Sequence, residues 1–439
     1  MRCTGCGAFL TISLCFTCEI YSLSPRPENS KPPLKAVFVL FPDTYIEFES
    51  CVLKNVKKLL FSNFCDIIRL KVFDMRKILS IKEMEDFLLQ DSAVEDIKTL
   101  DRKNPVKADF KQIMTASEVQ HEISVLARII IRGYVGWPVH NDIVKRKVLV
   151  YLTKLYKSAH DMRVGQFADA ICKIPSYIPD NHLKIAGGHR STKRKLLDVG
   201  KNIAGDKTFY ATLREDGVAV IAYSTMASTT QDKEMQEKFI HDYLDKSSAL
   251  IVDIRGNGGG NNENSDNLAT YLCGTHIDNA KQKFVRTTPE AKKIQQEYKP
   301  DVEWANIPES EKMMLFEKGK DFKIKKQKAY MKPIYILTDW YTGSSAEMFL
   351  LRMVHHPMVT VVGDNSRGME VYGHMAQTYL PISKLIIRTG MLYRILEYDN
   401  FELHGYKPNI KCADGQDAFD VALLTYTNQI NKLKQTRQK

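Results

Sequence analysis

Several things are scarce or missing in this chain of 439 residues. No stretch reaches about 18 uninterrupted apolar residues, so a membrane-spanning helix is not expected. Neither GxxxxGK nor GxGxxG occurs, which removes the usual nucleotide-binding fingerprints. The nine cysteines are odd in number and lack a spacing framework, which argues against a disulfide scaffold. There is no internal repeat. The basic runs KNVKK (54–58), RSTKRK (190–195), KIKKQK (323–328) and KLKQTRQK (432–439) do not alternate with aromatics. They read as solvated faces, and nucleic acid is not expected as a partner despite the net charge of +11.

What is present is an ordinary globular composition, 44% hydrophobic and 26% charged. The first 18 residues carry Cys3, Cys6, Cys15 and Cys18 as two CxxC pairs. The apolar gap GAFLTISL between them lacks the turn residues of a zinc knuckle, so no metal is expected. Arg2 followed by the apolar run from Ala8 to Phe16 is signal-like in length, which makes export to a periplasmic or extracellular site one expectation. Residues 1–75 form an N-terminal extension, with a Pro-, Ser- and Lys-rich linker at 19–35. Residues 76–200 read as a mostly helical domain. SIKEMEDFLLQ (80–90), SEVQHEISVLARIIIRGYVG (117–136) and HNDIVKRKVLVYLTKLYKSAH (140–160) space apolar residues at three and four.

After about residue 200 the texture changes. Strand-like GVAVIAYS (217–224), ALIVDIRG (249–256), PIYILT (333–338) and VTVVGD (359–364) alternate with helix-like segments. Alternation of this kind implies an α/β fold with a mixed parallel sheet and crossover helices over 201–430. Residues 274–330 are a polar, Lys-rich excursion read as an insertion or lid.

Two turns follow buried-type strands. DIRGNGGG (253–260) leaves a strand for a glycine-rich loop able to present backbone N–H groups to an anion. TGSSAE (342–347) leaves another strand and opens a helix. Ser344 and Glu347 also fit a plain capping box, and the glycine loop alone fits a tight turn.

Together the pattern D-x-R-x-N-x-G-G, followed some eighty residues later by T-x-S-x-x-E, resembles the tail-specific (C-terminal-processing) serine peptidase family. That resemblance covers about residues 175–425 and implies a crotonase- or caseinolytic-protease-like core. It implies Ser344 as nucleophile. Met369 stands where one branch of the family has its lysine base, so that branch does not fit. The tricorn-like branch, which shares the group with the retinoid-binding relatives, places a histidine before the serine. IPDNHLKI (178–185) resembles that segment and points to His182 as base, and NFELHGYKPNI (400–410) points to Glu402 as its orienting carboxylate. Asn181 stands where that branch has a helping serine, and Asn409 where the family has aspartate. His404 is the reserve base. The resemblance further implies an oxyanion hole from the backbone N–H groups of Ser345 and of Gly258 or Gly259, with Asp253 and Arg255 bracing the loop and Glu347 supporting the turn.

The expected activity is hydrolysis of peptide bonds in peptides or unfolded chains by a Ser-His-Glu mechanism, without a cofactor. A binding protein for lipid or peptide on the same scaffold, or an esterase, are the alternatives. Only about thirty residues separate His182 from the strand at 217, too few for the PDZ domain that many members carry. The substrate groove would then come from the helical region or the 274–330 excursion.

Overall fold

A computed structural model describes residues 36–40, 44–48, 79–100, 106–189, 208–227, 230–320 and 322–437. The N-terminal cysteines, the signal-like run and RSTKRK lie outside the described residues. The chain divides into two compact units, Met1–Leu79 and Ser80–Lys439. In the first, strands Ala36–Leu40 and Thr44–Phe48 pair antiparallel.

The second unit is built on a six-stranded sheet. Strands Val218–Tyr223, Ala249–Asp253, Ile334–Thr338, Val359–Gly363 and Ile410–Lys411 are parallel, and Phe209–Leu213 adds an antiparallel edge. The continuous apolar runs in the sequence reflect a sheet covered on both sides. Ala249–Asp253 and Ile334–Thr338 are buried at every position. Their side chains alternate between two cores. Leu250, Val252, Ile334 and Ile336 face Leu268, Leu272, Phe349 and Met353 from the helices Asn262–Cys273 and Ser345–Met353. Ala249, Ile251, Tyr335 and Leu337 face Ala418 and Ala422 of the C-terminal helix Ala418–Arg437.

A second, antiparallel sheet was not legible in the sequence. It contains Met314–Lys318, Gln282–Val285, Ile386–Ile395, Tyr372–Tyr379 and Lys98–Thr99 in that order, with Lys184–Ile185 pairing onto Ile386–Ile395. The stretch 274–330, read as an insertion, thus supplies two strands of this sheet and the helix Pro289–Tyr298.

The helical region keeps the expected starts. Ser80 and Thr115 form reciprocal capping boxes with Glu83 and Glu118, opening Ile81–Leu89 and Ala116–Arg128. The helix expected to run to residue 136 gives way at Ile129 to a π turn, Ile129–Gly133. Arg286, distant in sequence, donates to the carbonyls of Ile131 and Tyr134 at 2.5 and 3.2 Å. Carbonyls captured from outside need not close the regular helical ladder, which is the physical reason for the early end.

One buried contact ties this helical region to the antiparallel sheet. The Glu122 carboxylate accepts the N–H groups of Ile382 (2.8 Å) and Ser383 (3.1 Å) and the Ser383 hydroxyl. Glu122→Ala would strand two buried donors of Ser383 and the half-buried N–H of Ile382. We expect a loss of about 2–4 kcal/mol in a denaturant titration, and a smaller loss for Glu122→Gln, which keeps one acceptor oxygen.

Candidate active site

The two motif loops lie side by side at the carboxyl ends of adjacent parallel strands, Ala249–Asp253 and Ile334–Thr338. Polar groups zip them together. The Asp339 carboxylate accepts the N–H of Gly256 (2.9 Å) on one loop and those of Tyr341 and Thr342 (2.8 and 2.9 Å) on its own. Thr342 Oγ1 donates to the Ile254 carbonyl at 2.9 Å, and the Gly343 N–H donates to the Asn257 carbonyl at 2.9 Å. Arg255 binds Asp253 through Nε (2.9 Å) and Nη2 (2.8 Å), and Nη1 reaches Asp417 at 2.8 Å. These two residues brace the glycine loop from its buried side.

Ser344 sits at the sharp turn between strand and helix, with φ 54° and ψ −124°. A non-glycine residue there is strained and persists only when its surroundings hold it. Glu347 does the holding. Its buried carboxylate accepts the N–H of Ser344 (3.2 Å), the Ser366 hydroxyl (2.6 Å), and the N–H groups of Gly368 (2.7 Å) and Met369 (2.8 Å). Burial pushes its pKa up to about 7 against those donors. Only half of the plain capping box is therefore used: the Ser344 hydroxyl does not cap its helix.

That hydroxyl instead lies 3.2 Å from Nε2 of His182. His182 arrives from the other sheet, just ahead of strand Lys184–Ile185. The Asp180 carboxylate shapes its turn, accepting the N–H of His182 at 2.7 Å and of Leu183 at 3.2 Å through one oxygen. The other oxygen accepts the Tyr134 hydroxyl at 2.8 Å, which also lies 3.3 Å from His140 Nε2. The His182 ring is buried, and burial first, then the charges of Arg388, Arg394, Arg367 and Lys184, pull its pKa down to about 3. A neutral imidazole with an open Nε2 lone pair can take a proton from the hydroxyl.

The expected bond between Glu402 and the imidazole is not made. Glu402 accepts the N–H of Asn181 (2.9 Å) and of Val371 (3.2 Å), while His182 Nδ1 is buried without a hydrogen-bond partner. Burial, and then the neighbouring charge of Asp180, hold Glu402 well above the usual carboxylate range. Burial likewise raises Asp180 to about 6. The charge of Asp180 bears on Glu402, so full ionisation of both carboxyls together is unfavourable. Asn181 orders the region rather than replacing a reacting group. Its side chain donates to the carbonyls of Arg367 (3.2 Å) and Gly368 (3.0 Å), on the loop that Glu347 clamps.

Of the oxyanion donors, Gly259 is a correction. Its N–H already donates to Asn257 Oδ1 at 2.9 Å. The N–H groups of Gly258 and Ser345 have no acceptor among the described residues. Gly259 serves by smallness instead: at φ +95° a Cβ would come within 2.8 Å of Ser344 Cβ and 2.7 Å of the Ser345 nitrogen. The reserve base His404 is exposed, with Nδ1 against the carbonyls of Asn400 and Glu402 at 3.0 and 3.1 Å. It does not reach Ser344. Asn409, where an aspartate was expected, accepts the Val361 N–H at 2.8 Å and so anchors the sheet. Sequence reading missed Tyr134, Asp180 and Ser366. Asp180 was within reach, because an aspartate two residues before a histidine is an Asx-turn signal.

A hydroxyl on a strained strand-to-helix turn, with an imidazole within hydrogen-bonding reach, is an arrangement in which a base can activate a hydroxyl. Residues 217–412 match the model of peptidase family S41. Ser344, Gly258 and Glu402 fall inside that segment, and His182 precedes it. The fold is also similar to that of a candidate peptidase from Parabacteroides merdae, at 16% identity and TM-score 0.48, over 71% of this chain and 96% of that one. A lipoprotein from Streptococcus agalactiae gives 14% identity, TM-score 0.41 and the same two coverages. The tricorn protease gives 16% identity and TM-score 0.30 over 49% of this chain and 18% of that one. No curated protein matches the chain. Among the described residues no helix is long and apolar enough to cross a membrane, and no three His, Cys, Asp or Glu side chains gather in a way that could hold a metal ion.

His182 gives a pH prediction with a definite sign. Folding keeps it neutral, whereas the unfolded chain protonates it near 6.5. The stability it contributes is complete above about pH 6.5 and is lost as pH falls from there toward 3. Compared with His182→Gln, the parent should lose up to about 1.4 kcal/mol per pH unit in that window. Parallel urea titrations at several pH values measure the difference. Two curves with one slope would contradict a buried neutral imidazole.

Proposed function

We propose that this chain is a serine endopeptidase in which Ser344 attacks the scissile carbonyl and His182 carries the proton. The observation that supports it most directly is the 3.2 Å approach of His182 Nε2 to Ser344 Oγ. It is joined by the peptidase family match over 217–412.

In this reading the Ser344 hydroxyl passes its proton to Nε2 as Oγ bonds to the carbonyl carbon. The imidazolium then returns the proton to the leaving amine. The N–H groups of Ser345 and Gly258, beside the positive end of helix Ser345–Met353, receive the developing oxyanion. Loss of one such donor in comparable sites costs about 2.7–4 kcal/mol of transition-state stabilisation. Glu402 and Asp180 lie behind the imidazole. A negative charge on Glu402 or Asp180 would stabilise the ring as it gains charge, through electrostatics rather than through a bond already made. The natural substrates in this reading are peptides or unfolded protein segments.

One observation favours a second reading, a silent binding protein on the same scaffold: His182 Nδ1 has no acceptor in the resting structure. Hydrolysis separates the two. Parent protein should cleave casein or a quenched fluorescent peptide library, and Ser344→Ala should lower the rate by at least ~10³-fold while remaining folded. Equal turnover by the two proteins would remove Ser344 from the chemistry. No turnover by the parent on any peptide would favour the silent scaffold.

A further inference from the structure

The π turn that ends the helix Ala116–Arg128 brings one side chain to the back of the His182 segment. Tyr134 follows the turn Ile129–Gly133 directly, and its N–H donates to the Ile129 carbonyl at 2.8 Å. Turns of this kind are rare and recur at functional sites. Arg286 fixes the exit by holding the carbonyls of Ile131 and Tyr134. The next residue is tied to the antiparallel sheet, since the Val135 N–H donates to the Gly390 carbonyl at 3.2 Å. The buried Tyr134 ring packs against His140 and Tyr372, with centroids 5.8 Å away in both cases. Its hydroxyl has no room to swing aside. A Cβ on Gly136 would stand 2.2 Å from that oxygen, so only a glycine at 136 leaves the hydroxyl its place.

The hydroxyl is committed to Asp180. It donates to Oδ2 at 2.8 Å, while Oδ1 of the same buried carboxylate accepts the N–H groups of His182 and Leu183. Burial, and then the charge of Asp180, hold the Tyr134 phenol well above its ordinary range, so it remains a donor. On its other side lies His140 Nε2 at 3.3 Å. Burial, and then the charge of Lys145, pull that imidazole down to about 4, so it is neutral. The tautomer with its proton on Nε2 completes the chain by donating to the phenol oxygen. A buried tyrosine that has merely found a partner for its hydroxyl would be the ordinary explanation. That accounts for the phenol but not for the carboxylate, which is costly to bury and has both oxygens engaged, one with Tyr134 and one with the backbone of the histidine itself. The imidazole has no comparable support, because His182 Nδ1 is without a hydrogen-bond partner among the described residues. Its aim therefore depends on how its backbone is held.

We propose that Tyr134 is a positioning residue for the proton transfer: through Asp180 it fixes the turn that aims His182 Nε2 at Ser344 Oγ. This rests on the peptidase reading and adds to it a residue from outside the segment 217–412 that matches the family model. The Tyr134 hydroxyl touches no reacting atom and moves no proton of the reaction. Without it, Asp180 is one donor short and the turn it shapes is held less firmly. The imidazole then strays from its 3.2 Å approach to Ser344. A misplacement of ~1 Å between reacting groups is enough to slow a reaction severely while substrate binding stays as it was.

Tyr134→Phe in the full chain removes the hydroxyl and keeps the ring. Its cleavage of a quenched fluorescent peptide should show kcat lower by about tenfold, with KM changed by less than about twofold. Asp180→Asn should lower kcat further. The double variant should be no slower than Asp180→Asn, because the phenol acts only through that carboxylate. The double variant also removes the buried charge, so the comparison stands even where Tyr134→Phe alone fails to fold. A second readout needs no turnover. In protein labelled with ¹³C at histidine Cε1, the His182 resonance is the one lost in His182→Gln. It should shift in Tyr134→Phe while circular dichroism stays that of the parent. An unchanged kcat, a loss confined to KM, or losses that multiply in the double variant overturn the positioning role. A parent that cleaves no peptide counts against the peptidase reading, and the ring resonance then decides: if it is unmoved in Tyr134→Phe, the phenol does not set the histidine.

Discussion

The geometry of the site depends on one strained turn and the carboxylate that holds it. Ser344 occupies a backbone conformation that an unsupported serine would leave, at φ 54°. Glu347 gathers the Ser344 N–H together with three donors from the loop 366–369, so helix start, turn and loop become one rigid piece. The Asp339 and Thr342 bonds then lock that piece to the glycine loop. Gly259 can approach the turn only because it lacks a side chain. The result is a hydroxyl lifted out of its capping role and aimed across a sheet boundary. Removing Glu347's charge would unfasten several loops at once, whereas losing the hydroxyl would leave the scaffold intact.

The other half of the site is electrostatic. His182 reaches the serine from a different sheet and is kept neutral by burial and by surrounding cations. Behind it, Asp180 and Glu402 crowd one another and are raised above their usual range. A neutral imidazole with raised carboxyls in its neighbourhood is the electrostatic setting on which the proposed proton transfer rests. In the proposed reaction such preorganisation would favour the transition state over the resting state.

Much of this was legible in the chain. The parallel sheet was visible because strands buried on both faces must be apolar throughout, as in ALIVDIRG and PIYILT. The turn at TGSSAE and the loop at DIRGNGGG were visible because small residues and glycines mark places where the backbone must bend sharply. The pairing of His182 with Ser344 was suggested by resemblance and not by spacing, since 162 residues separate them. The antiparallel sheet escaped notice because its strands are short or only half-buried, as in MLFEK at 314–318. The π turn at Ile129 was hidden because a distant arginine imposes it. The choice between Gly258 and Gly259 required coordinates, since only the placement of Asn257 Oδ1 shows which N–H is taken.

The central claim is that burial beside His182 makes one hydroxyl reactive. It is tested most directly by treating the folded protein with a fluorophosphonate and locating the adduct by tandem mass spectrometry. The account predicts a single adduct, on Ser344, formed much more slowly when His182 is replaced by alanine. A folded protein that takes no label, or that is labelled at the same rate without the imidazole, would contradict it.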